Sequence, residues 1–174
     1  MRKLLVLFLM VMVSGWAFAH GPTPQKVEKS LTVKAPPAKV WALIKDFGAM
    51  QKWHPEIVSV KLEKQGEDTF RTLTIKDGNT VYEKLRSIDD ATMKLRYEII
   101  SSSKPLPFAD YNSVITVSAG NTPNETVVTW VGRFYRAYKL NPPIPPGQDD
   151  ESAMKAVTAI YESGLAQLAK VAVQ

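Results

Sequence analysis

The sequence predicts an α+β fold in which one bent antiparallel sheet wraps around a long C-terminal helix. Three observations lead there. Six strand-like segments follow one another between residues 57 and 138, separated by Gly, Asp or Asn turn signals. One further strand and a short amphipathic helix precede them. After residue 149 the apolar residues recur at helical spacing to the end of the chain.

Composition bounds the function. At 174 residues a single domain is expected, and 45% hydrophobic against 22% charged residues is a globular balance. The absence of Cys excludes disulfide scaffolds, thiol nucleophiles and cysteine-ligated metals. With only His20 and His54, a structural zinc site would have to draw on carboxylates. No Lys/Arg cluster longer than a pair follows the N-terminal leader, which argues against a nucleic-acid partner.

The N-terminus reads as a leader. Arg2 and Lys3 precede the apolar run Leu4 to Val13, and Ala17-Phe18-Ala19 fits a small-x-small cleavage pattern. The uncharged stretch Leu4–Ala19 falls short of the roughly 20 residues a spanning helix needs, so a membrane anchor is the weaker reading. Residues 1–19 are therefore expected to be a signal peptide cleaved after Ala19, delivering a periplasmic protein with no membrane span. Cleavage removes Arg2 and Lys3, lowering the formal charge from +5 to +3. His20–Gln25, with Pro22 and Pro24, reads as an extended tail, and 26–174 as a single domain.

Each element then has a local reason. Val27, Leu31 and Val33 share one face of a first strand that Lys29 interrupts. Pro36-Pro37 opens a helix, since proline is tolerated where the first amides have no partner. Val40, Trp41, Ile44 and Phe47 form its inner face, with Gly48 expected at C′. A short turn over Ala49–Lys52 ends before Trp53-His54-Pro55, because the residue before proline leaves the α region. Ile57–Glu63 alternates Val58, Val60 and Leu62 with polar residues, and Gln65-Gly66-Glu67-Asp68 turns it back. Thr69–Lys76 and Thr80–Ile88 flank Asp77-Gly78, a short hairpin signal. Met93–Ile100, Asp110–Ser118 and Thr126–Tyr138 complete the meander. The proline-rich Asn141–Gly147 can join neither a ladder nor a helix interior. Asp149, Asp150 and Glu151 favour a helix start, and Ala153, Val157, Ile160, Tyr161, Gly164, Leu165, Leu168 and Ala172 form one stripe beyond it. Gly164 within that stripe costs about 1 kcal/mol relative to Ala, which points to a packing or cavity requirement.

This order is the helix-grip arrangement. Ala35-Pro36-Pro37-Ala38-Lys39-Val40-Trp41, Asp46-Phe47-Gly48 and Trp53-His54-Pro55 resemble the N-terminal third of the SRPBCC (START-like) superfamily, closest to its polyketide cyclase/dehydrase-like branch. Tyr82-Glu83-Lys84-Leu85, Tyr97-Glu98, Pro105-Leu106-Pro107 and Thr126-Val127-Val128-Thr129-Trp130 continue the likeness. With the exported start His20-Gly21-Pro22-Thr23, the chain is similar to the periplasmic accessory proteins of methylotroph methanol oxidation. That likeness implies a cavity between sheet and helix, and quinoprotein methanol dehydrogenase and cytochrome c as partners.

The candidate site residues each carry two readings. The resemblance puts Trp53 and His54 at the cavity entrance, where an imidazole titrating near neutrality binds an anion or moves a proton. The plainer reading has His54 bonding a backbone carbonyl while Trp53 packs. Tyr97, Tyr111, Trp130 and Phe134 lie at strand parities compatible with an inward face, and Tyr161 lies on the helix stripe. Singly each is a core residue; together they suit an apolar pocket with polar handles. Glu83 shares a parity with Val81 and Leu85, so it points inside and requires a partner, or else sits at a strand end in water. A mature N-terminal His20 offers an amine and an imidazole for copper, with only His54 as a second histidine; an incidental tail residue is the alternative. No acid and base stand at an enforced spacing, which weighs against an enzyme, and no cofactor is called for. The leading expectation is a non-enzymatic accessory protein of quinoprotein methanol oxidation. A carrier of a small hydrophobic ligand comes next, and a polyketide cyclase/aromatase-like enzyme last.

Overall fold

The computed structural model describes residues 21–174. The leader, its cleavage site and His20 lie outside the described residues. Strand β1 (Gln25–Val33) leads into helix α1 (Pro37–Lys45) and a 3₁₀ turn (Met50–Lys52). The meander follows as β2 (Ile57–Gln65), β3 (Asp68–Ile75), β4 (Thr80–Asp89), β5 (Lys94–Ser102), β6 (Phe108–Ala119) and β7 (Thr126–Arg136), and α2 (Asp150–Ala172) closes the chain. All seven strands form one antiparallel sheet in the order β1-β7-β6-β5-β4-β3-β2. The meander is therefore as the turn spacing predicts, with β1 returning to pair with β7.

Helix α2 packs across β1 and β7. Asp149 caps it by accepting the Ser152 amide at 2.7 Å, one of the unpaired first-turn donors of any helix. Ala153, Val157, Tyr161, Leu165, Leu168 and Ala172 are buried along the expected stripe. Lys29, on the inward parity of β1, reaches the flank of α2 and pairs with Glu162 at 2.7 Å. That contact explains a lysine among apolar neighbours.

Three local expectations are corrected. Gly48 is not a C′ residue: the helix ends with Asp46 in an extended conformation, and the reason for glycine lies elsewhere. A Cβ at Gly48 would sit 2.8 Å from Leu62 Cδ1, so a larger residue there would push aside the Leu62 side chain on β2. On β2 the apolar alternation does not mark a buried face: Val58 and Leu62 are 60% and 50% exposed. β2 is the outermost strand and lies beyond the cover of α2. Ile160, expected within the packed stripe, is 37% exposed.

Candidate functional site

Between the β3–β6 side of the sheet and α2 lies a cavity of about 180 Å³. Leu73, Val81, Ile99, Tyr97, Tyr111 and Trp130 form its walls, and Met50, His54, Glu83 and Phe108 also face it. Glu56, Ile57, Ile75, Leu106 and Ile160 complete the lining; none of these five is buried, and together they form the mouth. Ile160 is half-exposed because it belongs to this rim. A bulge in β6 shapes the interior. Ala109 opposes Tyr135 while Asn112 opposes Arg133, one residue more on β6 than on its partner. Asp110 takes φ 52 there, so Phe108 and Tyr111, an odd number apart, are both buried.

His54 is 3% exposed and fully engaged. Its Nδ1 accepts the Glu56 amide at 3.3 Å, so Nε2 carries the proton and donates to the Ile160 carbonyl at 3.2 Å. Burial drives its pKa down to about 4, against the smaller opposing pull of the Ile160 bond. The imidazole is neutral at pH 7, and neither nitrogen is free for proton transfer or for copper. The ring ties the turn before β2 to α2, and Gly164 makes room for it. A Cβ there would stand 2.7 Å from His54 Cδ2 and 2.9 Å from Trp130 Cζ3.

The aromatic hydroxyls satisfy one another. Trp130 Nε1 donates to Ser113 Oγ at 2.8 Å and lies 3.2 Å from Tyr97 Oη. Ser113 in turn donates to the Val131 carbonyl at 3.1 Å. Tyr111 and Tyr161 share a hydrogen bond of 2.5 Å, and Tyr97 lies 3.4 Å from Tyr111. The Trp130 and Tyr161 rings stack at 4.3 Å. Burial raises the Tyr97 pKa to about 12 and pushes Tyr111 and Tyr161 upward as well. These phenols stay protonated across the physiological range.

Glu83 points inside, as its parity predicts, and its partner is Arg71 directly across the β3–β4 ladder. Arg71 Nε donates to Glu83 Oε2 at 2.6 Å, and Nη1 donates to the Phe47 carbonyl at 3.0 Å. The guanidinium lies 4.0 Å from the Phe47 ring centroid and 5.2 Å from that of Tyr97. Burial pushes the Glu83 carboxyl above its usual range and the guanidinium pulls it back. Arginine does not surrender its proton in a protein, and at 2.6 Å it forms a buried ion pair with Glu83. Arg71 and Ser113, which hold the polar wall residues from behind, are polar partners that sequence reasoning missed, as are the apolar wall residues Met50, Leu73, Ile99 and Phe108.

Of the predicted site residues, His54, Glu83, Tyr97, Tyr111 and Trp130 face the cavity, whereas Trp53, Phe134 and Tyr161 do not. Those three are buried behind the wall. Trp53 packs edge-on against Trp130 with centroids 5.8 Å apart, and Phe134 lies between Phe108 and Tyr111. Tyr161 reaches the network from the helix. Among the described residues no three of His, Asp and Glu gather as metal ligands, and no helix is long and apolar enough to cross a membrane. The arrangement can enclose and orient a small apolar molecule.

The family described as "Polyketide cyclase / dehydrase and lipid transport" matches residues 24–173. Among solved structures, protein XoxI from Bacillus cereus is 30% identical, with a TM-score of 0.73 over 86% of this chain and 96% of that one. An uncharacterised protein from Bacillus thuringiensis is 29% identical, with a TM-score of 0.73 over 86% and 100% of the two chains. The Zhui aromatase/cyclase from Streptomyces sp. R1128 is 16% identical, with a TM-score of 0.64 over 86% and 92%. At that identity the likeness is one of fold. No curated protein sequence matches the chain.

Proposed function

The chain belongs to the polyketide cyclase / dehydrase and lipid transport family, and from that premise we propose that it acts by binding, as an exported protein that holds a small apolar ligand without transforming it. One observation carries this reading. The cavity is apolar, the His54 nitrogens and the tyrosine hydroxyls facing it are engaged within the protein, and the Glu83 carboxylate is tied to Arg71 through one oxygen. Catalysis by proton transfer needs a group with a free nitrogen or oxygen and a pKa near the working pH. His54, Tyr97 and Tyr111 are moved away from that range. Size sharpens the reading: a dry apolar cavity of about 150 Å³ is enough to bind benzene, so 180 Å³ suits a single ring or a short chain.

Toluene is a suitable first probe. It should quench or shift the fluorescence of Trp130 saturably and raise the unfolding temperature, because a ligand that binds only the folded state stabilises it. Absence of both signals up to the solubility limit would refute the binding reading.

A second reading is favoured by the opening motifs. The leader and the mature start His20-Gly21-Pro22-Thr23 resemble MxaD, a periplasmic accessory protein of methanol oxidation. On this reading the protein assists electron transfer from quinoprotein methanol dehydrogenase to cytochrome c, and the mature charge of +3 helps steer it to acidic partners. Added protein should then raise the rate of cytochrome reduction without itself consuming methanol. An unchanged rate at every stoichiometry would dismiss that role and leave the cavity reading intact.

A further inference from the structure

We propose that Glu83 makes the cavity selective for neutral ligands bearing one hydrogen-bond donor, an alcohol or phenol on a single ring or short chain, and against carboxylates. The proposal rests on the binding reading above and adds the polar half of the ligand. Glu83 is 4% exposed and faces the cavity. Its Oε2 receives Arg71 Nε, but Oε1 has no hydrogen-bond partner among the described residues. Oε1 is not one of the fully buried unpartnered atoms and so opens onto the cavity; a ligand filling that space must donate to it or leave a charged oxygen desolvated, which is costly.

Nothing else in the buried wall competes for that role; the other carboxylate of the lining, Glu56, stands exposed at the mouth and pairs with Lys76. The Tyr97 and Tyr111 hydroxyls and the Trp130 indole are committed to one another and to Ser113 and Tyr161. The Arg71 charge is already compensated by Glu83, and Arg71 does not itself line the cavity. An anion entering would meet the Glu83 carboxylate without a free cation to answer it. The unpartnered indole donor nearby, Trp53 Nε1, belongs to a residue outside the lining. A neutral acceptor such as an ether would leave Oε1 as it is. A donor is the one polar group the interior rewards.

The test uses two isomers and an anion. Benzyl alcohol and anisole have the same atoms, but only the alcohol donates; benzoate carries the charge. With the intact protein, calorimetry and thermal shift should show benzyl alcohol binding about tenfold more tightly than anisole, as a hydrogen bond to a charged group implies. Benzoate should show no saturable binding. In the double variant Arg71→Met/Glu83→Leu, which removes both charges together, the tenfold preference should vanish while toluene still binds. Should that variant not fold, the comparison in the intact protein decides alone. Equal or tighter binding of anisole, or saturable binding of benzoate, overturns the selectivity while leaving the binding function standing. Failure of toluene, benzyl alcohol and anisole together overturns both.

Discussion

Acidification from pH 7 to pH 4 should remove about 3 kcal/mol of stability through His54 alone. The imidazole is held neutral in the fold with its pKa lowered from 6.5 to about 4, whereas in the unfolded chain it protonates near its ordinary value. Between those pH values the unfolded state binds more protons, so stability is present above pH 6.5 and is lost as pH falls toward 4. At 1.36 kcal/mol per pKa unit, the fall from 6.5 to about 4 gives about 3 kcal/mol. Glu83 works in the opposite sense. Its folded pKa is raised by burial, so it recovers stability as pH falls through that raised value. The two contributions separate in a comparison of the wild type with His54→Gln, which cannot titrate there. Urea unfolding at pH 7, 6, 5 and 4, followed by tryptophan fluorescence, yields each stability by linear extrapolation. The variant will be less stable throughout, because the glutamine amide does not replace the ring that packs against Trp53 and Trp130. Its curve should nonetheless lack the decline between pH 6.5 and 4 that the wild type shows. Parallel curves for the two proteins would refute a buried, neutral, doubly bonded His54.

Other perturbations follow from the same packing. Arg71→Met should destabilise the protein by about 3–5 kcal/mol, since it leaves a buried carboxylate uncompensated, and the double variant with Glu83→Leu should regain most of it in chemical denaturation. Gly164→Ala should lower the unfolding temperature although alanine is the better helix former by about 1 kcal/mol, because its Cβ would press on His54 and Trp130; a rise in the unfolding temperature would mean those rings do not pack there. Leu165→Ala should cost about 2–5 kcal/mol in urea denaturation, as Leu165 is 3% exposed between α2 and the sheet, and a cost below half a kcal/mol would place that face of α2 in water.

The elements were legible because their signals are local. Pro36-Pro37, the turn glycines and the stripe of α2 each announce a boundary or a face over a few residues. The inward aromatics were legible by parity as well. What parity does not give is the layer in which an inward residue stands. Trp53, Phe134 and Tyr161 point inward and yet sit one shell behind the cavity wall. Arg71 was missed for a different reason. A two-residue turn at Asp77-Gly78 would set Arg71 opposite Lys84 and put Glu83 on the other face. The structure instead pairs Ile75 with Asn79 around a longer loop, the Ile75 amide donating to the Asn79 carbonyl at 2.8 Å, with Gly78 at φ 83. The register shifts by one and brings Arg71 and Glu83 together. The parity of Arg71 with Leu73 and Ile75 was the available signal, but a lone arginine in a threonine-rich strand reads by default as solvated.

The bulge at Asp110 divides β6 into two halves that answer to different demands. Downstream of it, Ser113 and Ile115 keep register with Gly132 and Trp130, and Tyr111 and Ser113 anchor the hydroxyl network. Upstream, Phe108 borders the cavity close to the Leu106 rim. Because the extra residue absorbs the mismatch between the halves, the segment before Asp110 can vary in length or sequence without passing a register change into the core. The entrance can thus be re-cut for a new ligand with the interior left unchanged, and a library aimed at altering what this protein binds is best confined to residues 104–107.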